Sequence, residues 1–256
     1  MQLRVSKSGR MVAVPRVVPV PDIRRVDLPE ARQAIPHVHA YLRECILNGT
    51  LSPGTKLSQV SLAAQLGISR TPLREVLRML QEEGLVVIEP NQRTRVAGLD
   101  PQELDDIYAS RILLETLALS MTIGHFSAKA RSEARRLLTA MRRAVKNGDY
   151  DAWSAAHTEY HRICTAVAGE TMRRQLRAFA DRTTRYIRIY QPSATDSWQA
   201  DDEHAAILEA LIAGDERAAL TEMARHLART ALRVLTECAP DYVPVAVPHA
   251  MALVDL

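Results

Sequence analysis

Apolar residues recur along this chain in two distinct rhythms. From Ala31 to about Asn48 the spacing is helical, with Ile35, Val38, His39, Leu42, Cys45 and Ile46 on one face and Asn48-Gly49 as a stop. Ser52-Pro53-Gly54 marks a turn. Ser58 is placed to cap a short helix carrying Leu62, Ala63 and Leu66, and Gly67 marks a tight turn after it. Ser69 or Thr71 then caps another helix, with Pro72 in its first turn, where a missing N–H costs nothing. Its stripe is Leu73, Val76, Leu77 and Leu80, and Gly84 ends it. The rhythm now changes. Leu85 to Ile88 and Arg95 to Ala97, around a polar turn from Glu89 to Thr94, read as a β-hairpin. Residues 31–98 therefore predict helix, helix, turn, helix, hairpin, the order of a winged helix-turn-helix domain.

The helical rhythm returns at Asp100-Pro101-Gln102-Glu103, where Asp caps, Pro takes the first helical position and Glu stands where a capping-box partner belongs. It continues almost to Cys238, with breaks at Gly124–Ser127, Asn147-Gly148, Gly169, Gln191–Ser197 and Gly214-Asp215. That pattern predicts about six helices in 99–238, an all-α bundle. The fold class expected is mainly α, an N-terminal winged helix-turn-helix followed by a C-terminal helical bundle. Residues 1–30, rich in Val, Pro and Arg without a period, predict a flexible basic arm. Residues 239–256, with three prolines and no clear period, predict a tail.

Composition sharpens this picture in three places. Cys45, Cys164 and Cys238 are odd in number and share no metal-like spacing, which argues against a disulfide scaffold and for a reducing, cytoplasmic setting. No apolar run approaches the ~20 residues of a membrane span, and Pro15, Arg16 and Pro19 interrupt the run from Met11 to Val20 that would otherwise suggest a signal peptide. The formal net charge of +3 is unevenly spread: residues 31–98 hold 8 Lys/Arg against 5 Asp/Glu, whereas residues 99–256 hold 19 against 22. A basic first domain beside a mildly acidic second one points to nucleic acid at the first.

A helix-turn-helix reads DNA with the N-terminal end of its second helix, which must present polar groups to base edges and phosphates. Here that end offers Ser69, Arg70, Thr71 and Arg74. An arginine at a groove pairs bidentately with guanine or clamps a phosphate. The hairpin turn adds Asn91, Gln92, Arg93 and Arg95, placed to reach the minor groove or the backbone.

The run Leu66-Gly67-Ile68-Ser69-Arg70-Thr71-Pro72-Leu73-Arg74-Glu75, with Leu57-Ser58, Leu62-Ala63 and Glu83-Gly84-Leu85, resembles the GntR family of bacterial transcription regulators, and within it the FadR-like subfamily with an FCD effector domain. The resemblance spans about residues 31–238. It implies that Arg70, Thr71 and Arg74 contact operator DNA, and that the wing tip near Gln92 and Arg93 does too. Two positions depart from the pattern: Val60 stands where many members place an arginine, and the wing tip lacks the usual glycine.

Four of the eight histidines fall at telling places. His157 and His161 are one helical turn apart, on a face with Trp153, Tyr160 and Cys164. His204 shares a stripe with Ile207, Leu208 and Leu211, and His226 one with Ala219, Met223 and Thr230. Four imidazoles thus point from three helices towards one interior. Burying them unpartnered is costly, and a shared divalent ion (zinc, with nickel or another transition metal as alternatives) would resolve the cost. The resemblance implies the same ligand set, His157, His161, His204 and His226, with His157 where the family usually places Asp.

Arg111 lies on the stripe Leu104, Ile107, Tyr108, Leu114, Ala118, and an arginine there needs an anion. Glu115, one turn on, is one partner; a ligand carboxylate is the other. The resemblance places Arg111 in an effector cavity and implies a small organic or sugar acid as effector, and two-fold symmetry implies a homodimer on a pseudo-palindromic operator. The alternative is a histidine-site metalloenzyme, a hydrolase with a helical accessory domain. Against it, His157 to His161 reads HTEYH rather than H-E-x-x-H, so Glu159 projects away from the histidine face.

Overall fold

The structure, a computed structural model, describes residues 3–5, 11–13, 34–89, 93–98, 100–190 and 198–255. It divides at the change of rhythm near residue 99 into one unit of residues 1–99 and another of residues 100–256.

Within the stretch expected to be a flexible arm, β1 (Leu3–Val5) pairs antiparallel with β2 (Met11–Ala13). Each strand carries a valine, and Ser6 to Arg10 between them holds the small and polar residues a turn needs. Helices α1 (Ala34–Leu47), α2 (Gln59–Leu66) and α3 (Arg70–Glu82) follow, then β3 (Val86–Glu89) and β4 (Arg93–Val96). The strands pair antiparallel from Val86 opposite Val96 to Glu89 opposite Arg93, so pairing extends two residues further on each side than the polar turn suggests. Residues 54–57 run along β4. The Gly54 N–H donates to the Val96 carbonyl (3.0 Å), the Val96 N–H to Thr55 (2.9 Å) and the Leu57 N–H to Thr94 (2.8 Å). Val38, Leu42, Leu62, Leu66, Leu73, Val76, Leu77 and Leu80 are all fully buried in one cluster. Each such side chain contributes roughly 1.5–3 kcal/mol through area removed from water, so three helices and a hairpin suffice for a core.

The second unit is helical: α4 (Pro101–Thr122), α5 (Ala128–Asn147), α6 (Tyr150–Cys164), α7 (Glu170–Tyr190), α8 (Trp198–Ala213), α9 (Glu216–Cys238) and α10 (Ala246–Val254). Ser127, Asp149 and Asp215 each accept from the N–H three residues on, starting α5, α6 and α9. Gly148, at φ 65°, closes α5 in the left-handed conformation that a side chain would resist. The predicted break at Gln191–Ser197 lies outside the described residues. Helix α4 packs against α7, α9 and α10; α5 packs against α6 and α8; α8 packs against α9.

Two expectations are corrected. Glu103 does not close a capping box. The Asp100 side chain does cap the helix, accepting from the Gln102 N–H (3.0 Å), but the Asp100 N–H goes to the Tyr186 hydroxyl (2.8 Å) of α7. Glu103 instead accepts from that hydroxyl (3.0 Å) and pairs with Arg182, so a tertiary contact replaces the local one. The expected tail contains α10, which buries Val247 and Ala250. Its first turn has no cap of its own. The buried carboxylate of Asp105, on α4, supplies one, accepting from the N–H groups of Val245 (2.7 Å), Ala246 (2.9 Å) and Val247 (2.9 Å) and from the Tyr242 hydroxyl (3.1 Å). Burial would raise the Asp105 carboxyl, but these donors outweigh it and hold it below its ordinary value.

Replacing Asp105 with alanine leaves three helix-start N–H groups unpaired beside α4. A loss of about 3 kcal/mol in unfolding free energy is expected, with amide exchange across residues 246–254 accelerated selectively. An unchanged urea midpoint with α10 still protected would contradict this role for Asp105.

Candidate nucleic-acid interface and metal centre

The turn between α2 and α3 is set by Gly67, whose φ of 70° lets the chain reverse in one residue. Helix α2 begins where the Ser58 hydroxyl accepts from the Ser61 N–H (3.3 Å). Ser69 occupies the N-cap of α3 but its side chain makes no capping bond, leaving the hydroxyl at the helix entrance where phosphate is favoured. With Leu73, Val76, Leu77 and Leu80 turned inward, Ser69, Arg70, Thr71 and Arg74 all stand exposed on the opposite side.

The arginines of α3 are not equivalent. Arg78 is held by Glu75 (2.9 Å) and Glu82 (2.8 Å) on its own helix. No such ion pair engages Arg70 or Arg74 among the described residues. Arg70 lines a shallow depression with Lys56, Ser58, Gln59 and Val60. Lys56 is a basic group that the sequence reading left out; its signal was its place two residues before the Ser58 cap. Val60, 64% exposed, stands on the same rim, an apolar residue among polar ones. Gln92 lies outside the described residues, as does the side chain of Arg93, whose backbone opens β4.

In the helical unit the four predicted histidines come together. One ring nitrogen from each of His157, His161, His204 and His226 lies within 4.8 Å of all the others. Their ring centroids are 4.3–6.0 Å apart. Helix α6 supplies two of them at one-turn spacing, α8 the third and α9 the fourth. The Tyr160 hydroxyl donates to the His204 carbonyl (2.7 Å), fastening α6 to α8. Trp153 stacks on His157, rings 4.7 Å apart and 19° from parallel.

Carboxylates aim two of the rings. Nδ1 of His161 meets Oε2 of Glu115 at 2.8 Å, and Nδ1 of His226 meets Oε2 of Glu203 at 2.8 Å. Burial alone would raise the Glu115 carboxyl, but Arg111 and His161 outweigh it and hold it at about 2, so Glu115 is ionised and only accepts. The proton of His161 therefore sits on Nδ1, and its Nε2, buried without a hydrogen-bond partner, turns a lone pair to the cluster. This carboxylate–imidazole arrangement is how proteins orient metal-binding histidines. Burial first, then the other cationic groups, depresses His226 to about 3 and His157 well below its ordinary value. All of this favours neutral imidazoles, the form that binds metal. An ion with bonds of ~2.0–2.1 Å needs nitrogen atoms roughly 3.4–4.2 Å apart, so a small contraction fits the four around one.

Arg111 is 4% exposed, and its partner is the internal one: Nε donates to Glu115 Oε1 (2.7 Å) and Nη1 to the Thr183 hydroxyl (3.1 Å), while the Tyr108 ring lies 5.2 Å below. Sequence reasoning considered Glu115 and Glu203 as possible catalytic bases. It missed that they anchor metal-type histidines, because each contact joins residues far apart in the chain. Cys164, one turn beyond His161, is buried and its thiol is pushed up to about 12, so it offers no thiolate.

A winged helix-turn-helix with an exposed basic reading end, beside a helical unit built around a buried ligand-type cluster, defines a DNA-binding regulator with a sensing domain. The chain belongs to the GntR family of bacterial regulatory proteins: the family's description matches residues 35–96 and that of the FCD domain matches residues 106–229. A probable D-xylose utilization operon transcriptional repressor of Paenarthrobacter nicotinovorans is 30% identical over 185 residues, 72% of this chain and 80% of that protein. An HTH-type transcriptional regulator of Agrobacterium vitis is 33% identical over 133 residues, 50% of this chain and 77% of that one. Among solved structures, Escherichia coli McbR shares the fold with a TM-score of 0.69 at 20% identity, over 79% of this chain and 97% of that chain. The families and relatives are transcription regulators, so the metallohydrolase alternative is set aside. No helix among the described residues is long and apolar enough to cross a membrane.

The depressed imidazoles make acid stability a readout of the cluster. An unfolded histidine takes up a proton near 6.5, whereas folded His226 does so near 3, so stability is full above 6.5 and falls as the pH drops below it. By pH 5 His226 alone should cost the metal-free protein about 2 kcal/mol, read from urea midpoints at pH 7 and pH 5. His226→Gln should flatten that slope; a wild-type slope in this variant would contradict the assignment.

Proposed function

We propose that this protein is a transcriptional repressor whose grip on DNA is set by a small acidic metabolite bound near a divalent metal in the FCD domain. The observation that carries the reading is the convergence of His157, His161, His204 and His226, with Nε2 of His161 buried and unpaired at its centre. Zinc suits four imidazoles best, and nickel or another transition metal suits them also. The metal would supply a Lewis-acidic point to which a carboxylate binds. Arg111 turns whatever guanidinium donors Glu115 and Thr183 leave towards the same ligand. A small organic or sugar acid fits this chemistry, and the relative named for D-xylose utilization works in sugar metabolism.

At the DNA end, Ser69, Arg70, Thr71 and Arg74 enter the major groove, and Gln92 and Arg93 on the wing contact the minor groove or the phosphates. The protein acts in the cytoplasm as a homodimer, two recognition helices meeting two half-sites of a pseudo-palindromic operator. Effector binding changes how the two reading heads are presented and loosens the complex, which needs an affinity difference between states of ~1–3 kcal/mol.

Arg70→Ala and Arg74→Ala should each weaken operator binding by about 1–3 kcal/mol, roughly 5- to 150-fold by fluorescence anisotropy at fixed salt, with metal content unchanged. Wild-type operator affinity in both would rule out α3 as the reading helix. The double variant His161→Ala/His226→Ala should lose its metal by elemental analysis and its effector response, while keeping DNA binding. Undiminished metal content would reject the site.

A further inference from the structure

We propose that the four-histidine site takes up its metal together with a small dianion, and that the charge count around the site selects two negative charges over one. The inference rests on the metal reading above and goes on to what accompanies the metal.

The argument is one of uncompensated charge. The candidate ligands are four imidazoles, held neutral by burial, and neutral imidazoles bring no negative charge. Each carboxylate touching them is already matched by a cation. Glu115, which anchors His161, is paired with Arg111. Glu203, which anchors His226, is paired with Arg229. The hydroxyl and thiol groups nearby stay protonated: burial pushes Tyr108 and Cys164 up to about 12 and Tyr160 well above its ordinary value. A divalent ion therefore adds two positive charges to surroundings whose own charges cancel. His204 is 0% and His226 3% exposed, so water screens that excess poorly. A monoanion leaves one charge over and a dianion leaves none. His157 keeps part of its surface open to solvent, which gives an anion an approach that the other three rings do not. Because binding free energies are linked, the dianion must tighten the metal by the same factor as the metal tightens the dianion.

The test uses the full-length protein with free zinc fixed by a metal buffer, at constant ionic strength and pH 7.5. Zinc affinity is measured in malonate, sulfate, acetate or chloride. Malonate should raise it about tenfold above acetate or chloride, a typical coupling. Sulfate matching malonate would identify any dianion as sufficient; malonate exceeding sulfate would assign the preference to dicarboxylates. Calorimetry should show malonate binding strengthened by the same factor when zinc is present, a check that needs no variant. His157→Asp, which adds one negative charge at the cluster, should reduce the malonate advantage to about threefold or less, with helix content confirmed by circular dichroism. Equal zinc affinity in malonate and acetate would overturn the inference while leaving the metal site standing. No zinc uptake in any buffer would overturn the metal reading and this inference with it.

Discussion

Two carboxylates decide what the helical domain is for. Glu115 and Glu203 each hold the Nδ1 side of an imidazole, and in doing so they fix its tautomer, its direction and its neutrality together. Without them, four histidine rings within 4.3–6.0 Å of one another would be a cluster of rotatable, protonatable groups in a core. With them, the rings are neutral and two are aimed with their Nε2 atoms inward. Arg111 completes the arrangement from behind. It is buried because Glu115 is, and Glu115 stays ionised because Arg111 is there. The pair cannot be separated cheaply: removing one partner strands a buried charge, a loss of about 3–5 kcal/mol in comparable cases.

The DNA-binding domain obeys the same logic in the opposite sense. There, function depends on charges that remain unspent. Arg78 is tied to Glu75 and Glu82, whereas Arg70 and Arg74, on the same helix, meet no carboxylate among the described residues. Sequence position alone does not separate these three arginines; the neighbours one turn away do. The apolar stripe of α3 turns its basic end outward, and the left-handed turn at Gly67 allows α2 to pack behind it.

Much of this was legible in the sequence, for identifiable reasons. Helices with strong local signals, such as α5, α6 and α9 with their Ser and Asp caps, lie where periodicity placed them. The histidine cluster was legible because i, i+4 spacing and apolar stripes are local features that survive into the fold. Three things were not. Helix α10 was hidden by Pro240, Pro244 and Pro248 and by a cap donated from Asp105, some 140 residues earlier. The Asp100 N–H is satisfied by Tyr186 rather than by Glu103, which no local motif signals. The role of Glu115 needed the contact to His161, 46 residues on, before a stripe anomaly at Arg111 could be read as support for a ligand.

The central claim is that four imidazoles share one ion. X-ray absorption at the metal edge of protein loaded with one equivalent of zinc tests it most directly. The account requires imidazole nitrogens as the dominant shell, about four of them at roughly 2.0–2.1 Å, falling by one or more in His161→Ala. A shell dominated by oxygen or sulfur, or one unaltered by that substitution, would contradict it.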